Sequence, residues 1–247
     1  MEIYIIQANL ELGNIQKNKE KIFSYLEKAK KGSLVVMPEM WSSGFDNENL
    51  EEHAKATPEI YKELKDISRK KHLVLAGTLP ELSKKNIYNK GYIIDNGELI
   101  HKRAKVKLFT PTNEHKYFKA GKNSFDITES SVGNLGMMIC FELRYPNISY
   151  SLRKKDVEII LVPAQWGKPR KKHLEILSNA RAIETQSFVA VSNTVGKIGD
   201  IEYAGSSAVY SPWGECLINA DDKEGIFKAD VDLTEVYKVR RLIKMDI

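Results

Sequence analysis

Cys140 stands where an apolar segment meets a turn, and that position suits a nucleophile. Residues 135–139 predict a buried strand that ends on the cysteine, and Pro146 opens a predicted helix. Proline is favoured in a first helical turn because the N–H that it lacks has no intrahelical partner there. Nearby backbone N–H groups and the positive end of a helix dipole favour the thiolate. The alternative is a small apolar core residue, the common fate of a free cysteine.

Two other residues suit acyl transfer, in which a thiol attacks a carbonyl carbon and forms a thioester. Glu39 follows the apolar segment 34–37, and Lys105 follows a predicted hairpin strand. A partly buried carboxylate has a raised pKa and suits a general base. The ammonium of Lys105, with a backbone N–H near Phe141, would stabilise the oxyanion. Because strand ends line the ligand crevice of open α/β sheets, we expect Glu39, Lys105 and Cys140 to converge.

Each of these residues also has a plainer interpretation. An isolated acid such as Glu39 is most often a cap or a surface ion pair, and the basic run around Lys105 is most often a solvated face. A pair of Cys140 with His173, His115 or His101 would also activate a thiol. Position and residue type therefore leave the choice of base open.

Composition limits the classes of protein that this chain can be. Its 247 residues suit one α/β domain over residues 1–247. Its net charge is +5, but acidic and basic residues are interspersed along the chain, so we expect no nucleic-acid partner. Cys140 and Cys216 form no CxxC pair, so we expect neither a disulfide framework nor a redox pair, and a cytoplasmic location. No signal peptide, membrane-spanning run or metal-ligand spacing is evident, so we expect no membrane partner and no metal.

Strands alternating with helices predict a layered α/β fold with mixed sheets. Residues 50–71 are predicted to form a strongly charged helix, and Asn96-Gly97 is a strong hairpin signal between two strands. Residues 109–121 are expected to form a polar loop, and residues 124–128 a strand.

Four segments, in order, resemble the nitrilase superfamily of carbon–nitrogen hydrolases. They are VVMPEMWSSGF, HKRAKVKLF, NEHKYFKAG and MMICFELRYP, and the resemblance covers nearly the whole chain. It implies that Glu39 is the general base, Lys105 the catalytic lysine and Cys140 the nucleophile. It also implies that Glu114 is a second acid, which orients the lysine and assists proton transfer.

The same resemblance implies a four-layer α-β-β-α sandwich. It implies a homodimer formed through the helices that follow the nucleophile turn, or a higher homo-oligomer, and hydrolysis through a thioester without a cofactor. The chain departs from the pattern at Glu142, where the family commonly has Asp, and at Lys107, where many members have His. Neither departure removes a catalytic group.

The length and several segments look most similar to the ω-amidase-like branch, which hydrolyses the terminal amide of small α-keto or dicarboxylic acid monoamides. The expected partner is therefore a small-molecule amide. Trp166, Phe141, Trp41 and Phe118 are candidates for lining its pocket, with core packing as their other role. Arg144 either binds a substrate carboxylate or is structural, and the family resemblance favours the structural role.

Other functions remain open. Another amidase of the superfamily, acting on N-carbamoyl amino acids or aliphatic amides, would keep the same residues. A catalytically silent binding protein of this fold would be expected to have lost at least one of them, and all four are present.

Overall fold

The structure is a computed structural model, and it describes residues 1–122 and 124–245. In this part of the chain the helices are α1 (Ile15–Lys28), α2 (Leu50–Lys71), α3 (Glu114–Tyr117), α4 (Pro146–Arg153), α5 (Lys171–Thr185) and α6 (Thr234–Leu242). The strands are β1 (Glu2–Gln7), β2 (Leu34–Val36), β3 (Val74–Ser83), β4 (Asn86–Asp95), β5 (Glu98–Ala104), β6 (Thr128–Ser130), β7 (Gly133–Met137), β8 (Ile159–Pro163), β9 (Phe188–Ser192), β10 (Val195–Ile198), β11 (Ile201–Ala204), β12 (Ala208–Tyr210), β13 (Cys216–Asn219) and β14 (Gly225–Asp230).

The strands form two six-stranded mixed sheets. The first sheet has the order β14-β1-β2-β3-β4-β5, and the second has the order β13-β12-β9-β8-β7-β6. The centre of each sheet is parallel, with β1, β2 and β3 in the first and β7, β8 and β9 in the second. The outer pairs are antiparallel, as in the β4–β5 hairpin around the Asn96-Gly97 turn. The mixed sheets expected from the sequence are therefore confirmed.

The two sheets pack face to face, and helices cover their outer faces. The largest apolar cluster lies between the sheets and includes Ile5 of β1, Val36 of β2 and Leu161 of β8. A second cluster joins the outer face of the first sheet to α1 and α2, while α4 and α5 lie on the side of the second sheet. This arrangement confirms the four-layer α-β-β-α sandwich.

The central strands are apolar along their whole length because both of their faces are covered. Every residue of β2 and of β8 is buried, as expected of parallel strands between a helix layer and a second sheet. Such strands place polar side chains only where they end. The chemistry of the site therefore collects just after β2, β5, β7 and β8.

Some local predictions differ from the structure. Residues 124–128 are not a strand apart from Thr128, because β6 pairs with β7 only from Thr128 to Ser130. The predicted polar loop 109–121 contains a 3₁₀ turn and α3. The single domain over residues 1–247 stays a prediction, and residues 123, 246 and 247 lie outside the described part. Among the described residues, no helix has both the length and the apolar character needed to cross a bilayer.

Candidate active site

Glu39 and Cys140 follow strands of different sheets, and the fold brings both to one cavity. The chain turns sharply at each place, because Met40 and Cys140 adopt left-handed backbone conformations with φ of 47° and 46°. A residue with a side chain is strained there, so the surrounding packing must hold each turn. The N–H of Glu39 donates to the carbonyl oxygen of Ala164, at the end of β8, at 3.3 Å. This bond ties the two sheets together beside the site.

Lys105 follows β5, and its ammonium lies between two carboxylates. Its Nζ is 2.8 Å from Glu39 Oε1, and 3.0 and 2.9 Å from the two carboxylate oxygens of Glu114. All three side chains are buried. Glu114 begins α3, and its Oε2 accepts a hydrogen bond from the N–H of Phe109 at 2.6 Å. The lysine is thus held in one position by two acids on different elements.

Two neutral side chains complete the polar surroundings of Glu39. Asn89 of β4 donates from Nδ2 to Glu39 Oε1 at 2.8 Å. The backbone N–H of Gln165 donates to Glu39 Oε2 at 3.1 Å, and its Nε2 donates to the carbonyl oxygen of Glu39 at 2.7 Å. Because both carboxylate oxygens have fixed partners, the acid has little rotational freedom, as a positioned general base requires.

Burial and neighbouring charges set the protonation states of the site. Burial, and secondarily the charge of Glu114, raise the pKa of Glu39 even though Lys105 opposes them. Burial acts to lower the pKa of Lys105, but the carboxylates of Glu114 and Glu39 together outweigh it and raise that pKa. The lysine is therefore a permanent cation. Glu39 is a stronger proton acceptor than an exposed glutamate.

The surroundings of Cys140 differ from the sequence prediction. Residues Cys140–Arg144 form a 3₁₀ turn, and the α-helix α4 begins only at Pro146. Burial, and next the charge of Glu39, raise the pKa of Cys140 well above its ordinary value, although Lys105 opposes them. In the free protein, burial and the charge of Glu39 therefore outweigh the local groups that favour the thiolate. A neutral thiol beside a basic carboxylate needs proton transfer before it can attack.

The four polar residues Glu39, Lys105, Glu114 and Cys140 line one cavity of about 120 Å³. The rest of its lining is Phe45, Asn47, Phe109, Thr112, Gln165, Gly167, Arg170, Ile201 and Tyr203. A smaller adjoining pocket of about 30 Å³ shares Cys140 and is also lined by Phe141, Trp166 and Arg144. The space suits a small molecule. Phe141 and Trp166, two of the candidate pocket residues, therefore line this pocket, and so does Arg144, for which the family resemblance favours a structural role.

Trp41 and Phe118 instead belong to the core. Trp41 is fully buried in the cluster between the first sheet and its helices, and its Nε1 donates to Tyr92 Oη at 2.8 Å. Phe118 packs with Met40 in a separate small cluster, and its ring centroid is 6.0 Å from that of Phe45. Neither lines the cavity, so their candidate role as pocket residues is corrected to core packing.

Sequence reasoning missed Arg170 and Tyr203. Arg170 ends a 3₁₀ turn just after β8, so its position after a strand end was a usable signal. Tyr203 lies on the β10–β11 hairpin, which folds back so that Tyr203 forms an isolated bridge with Gly167. No local pattern reports that long-range contact. Within residues 1–122 and 124–245, no three His, Cys, Asp or Glu side chains form a group that could hold a metal ion.

Comparisons with known proteins agree with this geometry. A family model described as carbon-nitrogen hydrolase matches residues 3–241. The chain is 34% identical to the 2-oxoglutaramate amidase of Bacillus subtilis (strain 168) over 98% of this chain and 94% of that protein. It is 32% identical to an omega-amidase of Escherichia coli (strain K12) over 76% of this chain and 72% of that protein.

A solved structure of a CN-hydrolase superfamily protein from Xanthomonas campestris has the same fold. The TM-score is 0.91, the identity is 24%, and the match covers 98% of this chain and 94% of that one. Together with the family match over most of the chain, this shows that the protein belongs to the carbon–nitrogen hydrolase family, the nitrilase superfamily.

Proposed function

We propose that this protein hydrolyses the terminal amide of a small α-keto or dicarboxylic acid monoamide and releases ammonia. The observation that carries the proposal is the cluster of Cys140, Glu39, Lys105 and Glu114 around one cavity. These are the residue types that thioester-forming amide hydrolysis needs. The similarity to relatives named 2-oxoglutaramate amidase and omega-amidase supports the substrate class.

The first step is attack on the amide carbonyl carbon. Glu39 takes the proton of the Cys140 thiol, and the sulfur forms a bond to the carbon while the carbonyl π electrons move to oxygen. The raised pKa of Glu39 makes this carboxylate a better acceptor for the proton, and this partly offsets the raised pKa of the thiol. The product is a tetrahedral adduct whose oxygen carries a negative charge.

Lys105 stabilises that charge. Its ammonium is already fixed by Glu39 and Glu114, so little reorganisation is needed when the oxyanion forms. The backbone N–H of Phe141, the residue after the nucleophile, is the proposed second donor. Loss of one such donor typically lowers the rate by about 10²–10³.

The amide nitrogen then leaves as ammonia. The protonated Glu39 gives its proton to the nitrogen, the C–N bond breaks, and the acyl group remains on Cys140 as a thioester. Water then loses a proton to Glu39 and attacks the thioester carbon, and Glu39 returns that proton to the departing sulfur. Glu114 assists by keeping the lysine in place through its two contacts with Nζ. Atoms balance with one water consumed per amide, and no cofactor takes part.

We also propose that the protein is a homodimer in the cytoplasm. Large apolar side chains are exposed on α4 at Tyr150, on α5 at Ile176 and Ile183, and on α6 at Tyr237 and Leu242. A second copy covering these residues would remove them from water. Both cysteines are free, as a reducing compartment would keep them.

Light scattering on wild type and Ile176→Glu tests the assembly. The variant is expected to shift the dimer toward monomer, and Leu12→Glu, an exposed apolar site on another surface, is the control. A monomeric wild type contradicts the homodimer.

Ammonia release from a panel of substrates tests the activity. The panel contains 2-oxoglutaramate, succinamate, an N-carbamoyl amino acid, a neutral aliphatic amide and a nitrile. Release confined to the first two, and lost in Cys140→Ala, is expected. Release mainly from another member would move the substrate class, and no release from any member would favour a silent binding protein.

A further inference from the structure

Two arginine side chains border the catalytic cavity. Arg144 closes the 3₁₀ turn that begins with Cys140, and Arg170 closes the 3₁₀ turn that follows β8. Both line the smaller pocket beside the cysteine, and Arg170 also lines the larger cavity. Their positions place two positive charges beside Cys140, separate from the buried ion cluster of Lys105.

Aromatic rings hold both guanidinium groups. The Arg144 guanidinium carbon lies 4.9 Å from the centroid of the Trp166 ring, and that of Arg170 lies 5.1 Å from the centroid of Phe109. Trp166 Nε1 in turn donates to the carbonyl oxygen of Arg170 at 2.8 Å. Arg144 Nη2 lies 3.0 Å from His173 Nδ1. Stacking on a ring orients a guanidinium and leaves donors at its edge available to a ligand.

Neither arginine has an acidic partner in the part of the chain that the structure describes. No carboxylate of those residues lies within 4.0 Å of either guanidinium, whereas Arg103 in the core has both of its terminal nitrogens on one acid. Burial, and next the charge of Arg170, lower the pKa of Arg144, as expected for like charges in proximity. An anion between the two groups would relieve that repulsion.

We propose that Arg170, together with Arg144, binds the carboxylate at the end of the substrate remote from the amide. This inference rests on the proposed function and assigns its acid specificity to a residue. A planar guanidinium matches a carboxylate with two parallel hydrogen bonds, and a keto oxygen beside that carboxylate offers a further acceptor. Arg170 is the specificity-determining member, because it lines both spaces while Arg144 also belongs to the nucleophile turn.

The test compares succinamate with butyramide, which have the same chain length and differ in the remote carboxylate. In Arg170→Gln the ratio of kcat/KM for succinamate to kcat/KM for butyramide is expected to fall about ten- to hundredfold, the range for a hydrogen bond to a charged group. The butyramide rate reports any damage to the chemical step. Arg170→Lys, which keeps the charge without the planar fork, is expected to recover part of the ratio.

Lys172→Gln is the matched control, because Lys172 is an exposed cation close to Arg170 in the chain and does not line the cavity. It removes the same net charge, and its ratio is expected to equal that of wild type. Equal falls in Lys172→Gln and Arg170→Gln would attribute the effect to net charge and overturn the inference. An unchanged ratio in Arg170→Gln would overturn it as well, while the proposed amidase activity would stand.

Calorimetric binding of succinate to wild type and Arg170→Gln gives a readout that needs no turnover. Weaker binding to the variant by the same factor is expected. Wild type that binds no succinate and shows no preference for succinamate would overturn the inference. If the protein hydrolyses no amide but binds succinate in a way that depends on Arg170, the proposed activity is contradicted and the anion site stands.

Discussion

Glu142 accepts hydrogen bonds from both terminal nitrogens of Arg103, at 2.6 and 2.7 Å, in the core behind the active site. The same carboxylate accepts from the N–H of Val106 at 2.7 Å and from the N–H of Ile139 at 2.8 Å. Val106 follows Lys105 in the chain, and Ile139 precedes Cys140. One acid therefore joins the segment just after β5, which contains Lys105, to the turn that begins with Cys140.

Loss of this carboxylate is expected to destabilise the protein. Glu142→Gln replaces an acceptor oxygen by a donor and leaves Arg103 as an uncompensated buried cation, which costs about 3–5 kcal/mol. Urea unfolding gives the free energy of unfolding, with Glu142→Asp as the control that keeps the charge and loses one methylene. A Glu142→Gln variant within about 0.5 kcal/mol of wild type would contradict this role.

The stability of the Arg103–Glu142 pair also has a defined pH dependence. Burial acts to raise the pKa of Glu142, but Arg103 and the backbone N–H donors outweigh it, so the folded pKa is lowered. The pair therefore contributes its full stabilisation above about pH 4.3, the ordinary pKa of a glutamate in the unfolded chain. This stabilisation is lost as the pH falls through the lower pKa that Glu142 has in the folded protein. Between pH 6 and pH 3, unfolding free energy is expected to fall less in Arg103→Met/Glu142→Met than in wild type. Equal falls would contradict it.

Reactivity of the thiol tests the electrostatics of the site without any substrate. Since burial and then Glu39 raise the pKa of Cys140, iodoacetamide alkylation is expected to rise with pH with a midpoint above about 8.5, the ordinary value. Glu39→Gln removes a negative charge and leaves Lys105, so its midpoint is expected to lie lower. The measurement uses Cys216→Ser, because Cys216 is exposed. A higher midpoint in Glu39→Gln would contradict the assignment.

Lys105→Met is expected to lower kcat for succinamate by about 10²–10³, because the oxyanion loses its fixed cation. It also leaves Glu39 and Glu114 facing each other without the ammonium that lies between them. Circular dichroism and thermal unfolding separate a folded, inactive variant from an unfolded one. A folded Lys105→Met variant with wild-type kcat would exclude the lysine from the chemical step.

Trp41→Phe tests the correction of Trp41 from pocket to core. The change removes the buried hydrogen bond to Tyr92 Oη and is expected to lower the free energy of unfolding by about 1–3 kcal/mol. The ratio of kcat/KM for succinamate to that for butyramide is expected to stay at the wild-type value. A changed ratio with unchanged stability would return Trp41 to the pocket.

The sequence predicted the positions of the reactive groups well because they depend on strand ends. Glu39 and Cys140 each end an apolar run, and buried strands leave polar side chains only at such places. For Trp41, which lies two residues after Glu39, the sequence leaves pocket lining and core packing both open, and the structure shows core packing. The left-handed turn at Met40 separates the two, and Trp41 enters the core on the helix side of the first sheet.

Long-range contacts account for what the sequence did not reveal. The raised pKa of Cys140 follows from burial and from Glu39, which follows a strand of the other sheet, whereas the local argument rests on backbone N–H groups and a helix dipole near the cysteine. Tyr203 lies on a hairpin whose Gly199-Asp200 turn is a usable local signal, but no local pattern shows that this hairpin folds back onto the cavity. Neither Arg144 nor Arg170 has an acidic partner among the described residues, and this too depends on how distant segments pack together.

Mass spectrometry of the enzyme quenched during turnover of succinamate tests the central claim most directly. We expect an acyl group on the peptide that contains Cys140, formed before ammonia release reaches its steady rate and absent from Cys140→Ala. The Glu39→Gln variant should hydrolyse the thioester more slowly. The fraction of this variant that carries the acyl group, divided by its turnover rate, should therefore exceed the same quotient for wild type. Steady ammonia release from Cys140→Ala, or an acyl group carried only by another residue, would contradict the thioester mechanism.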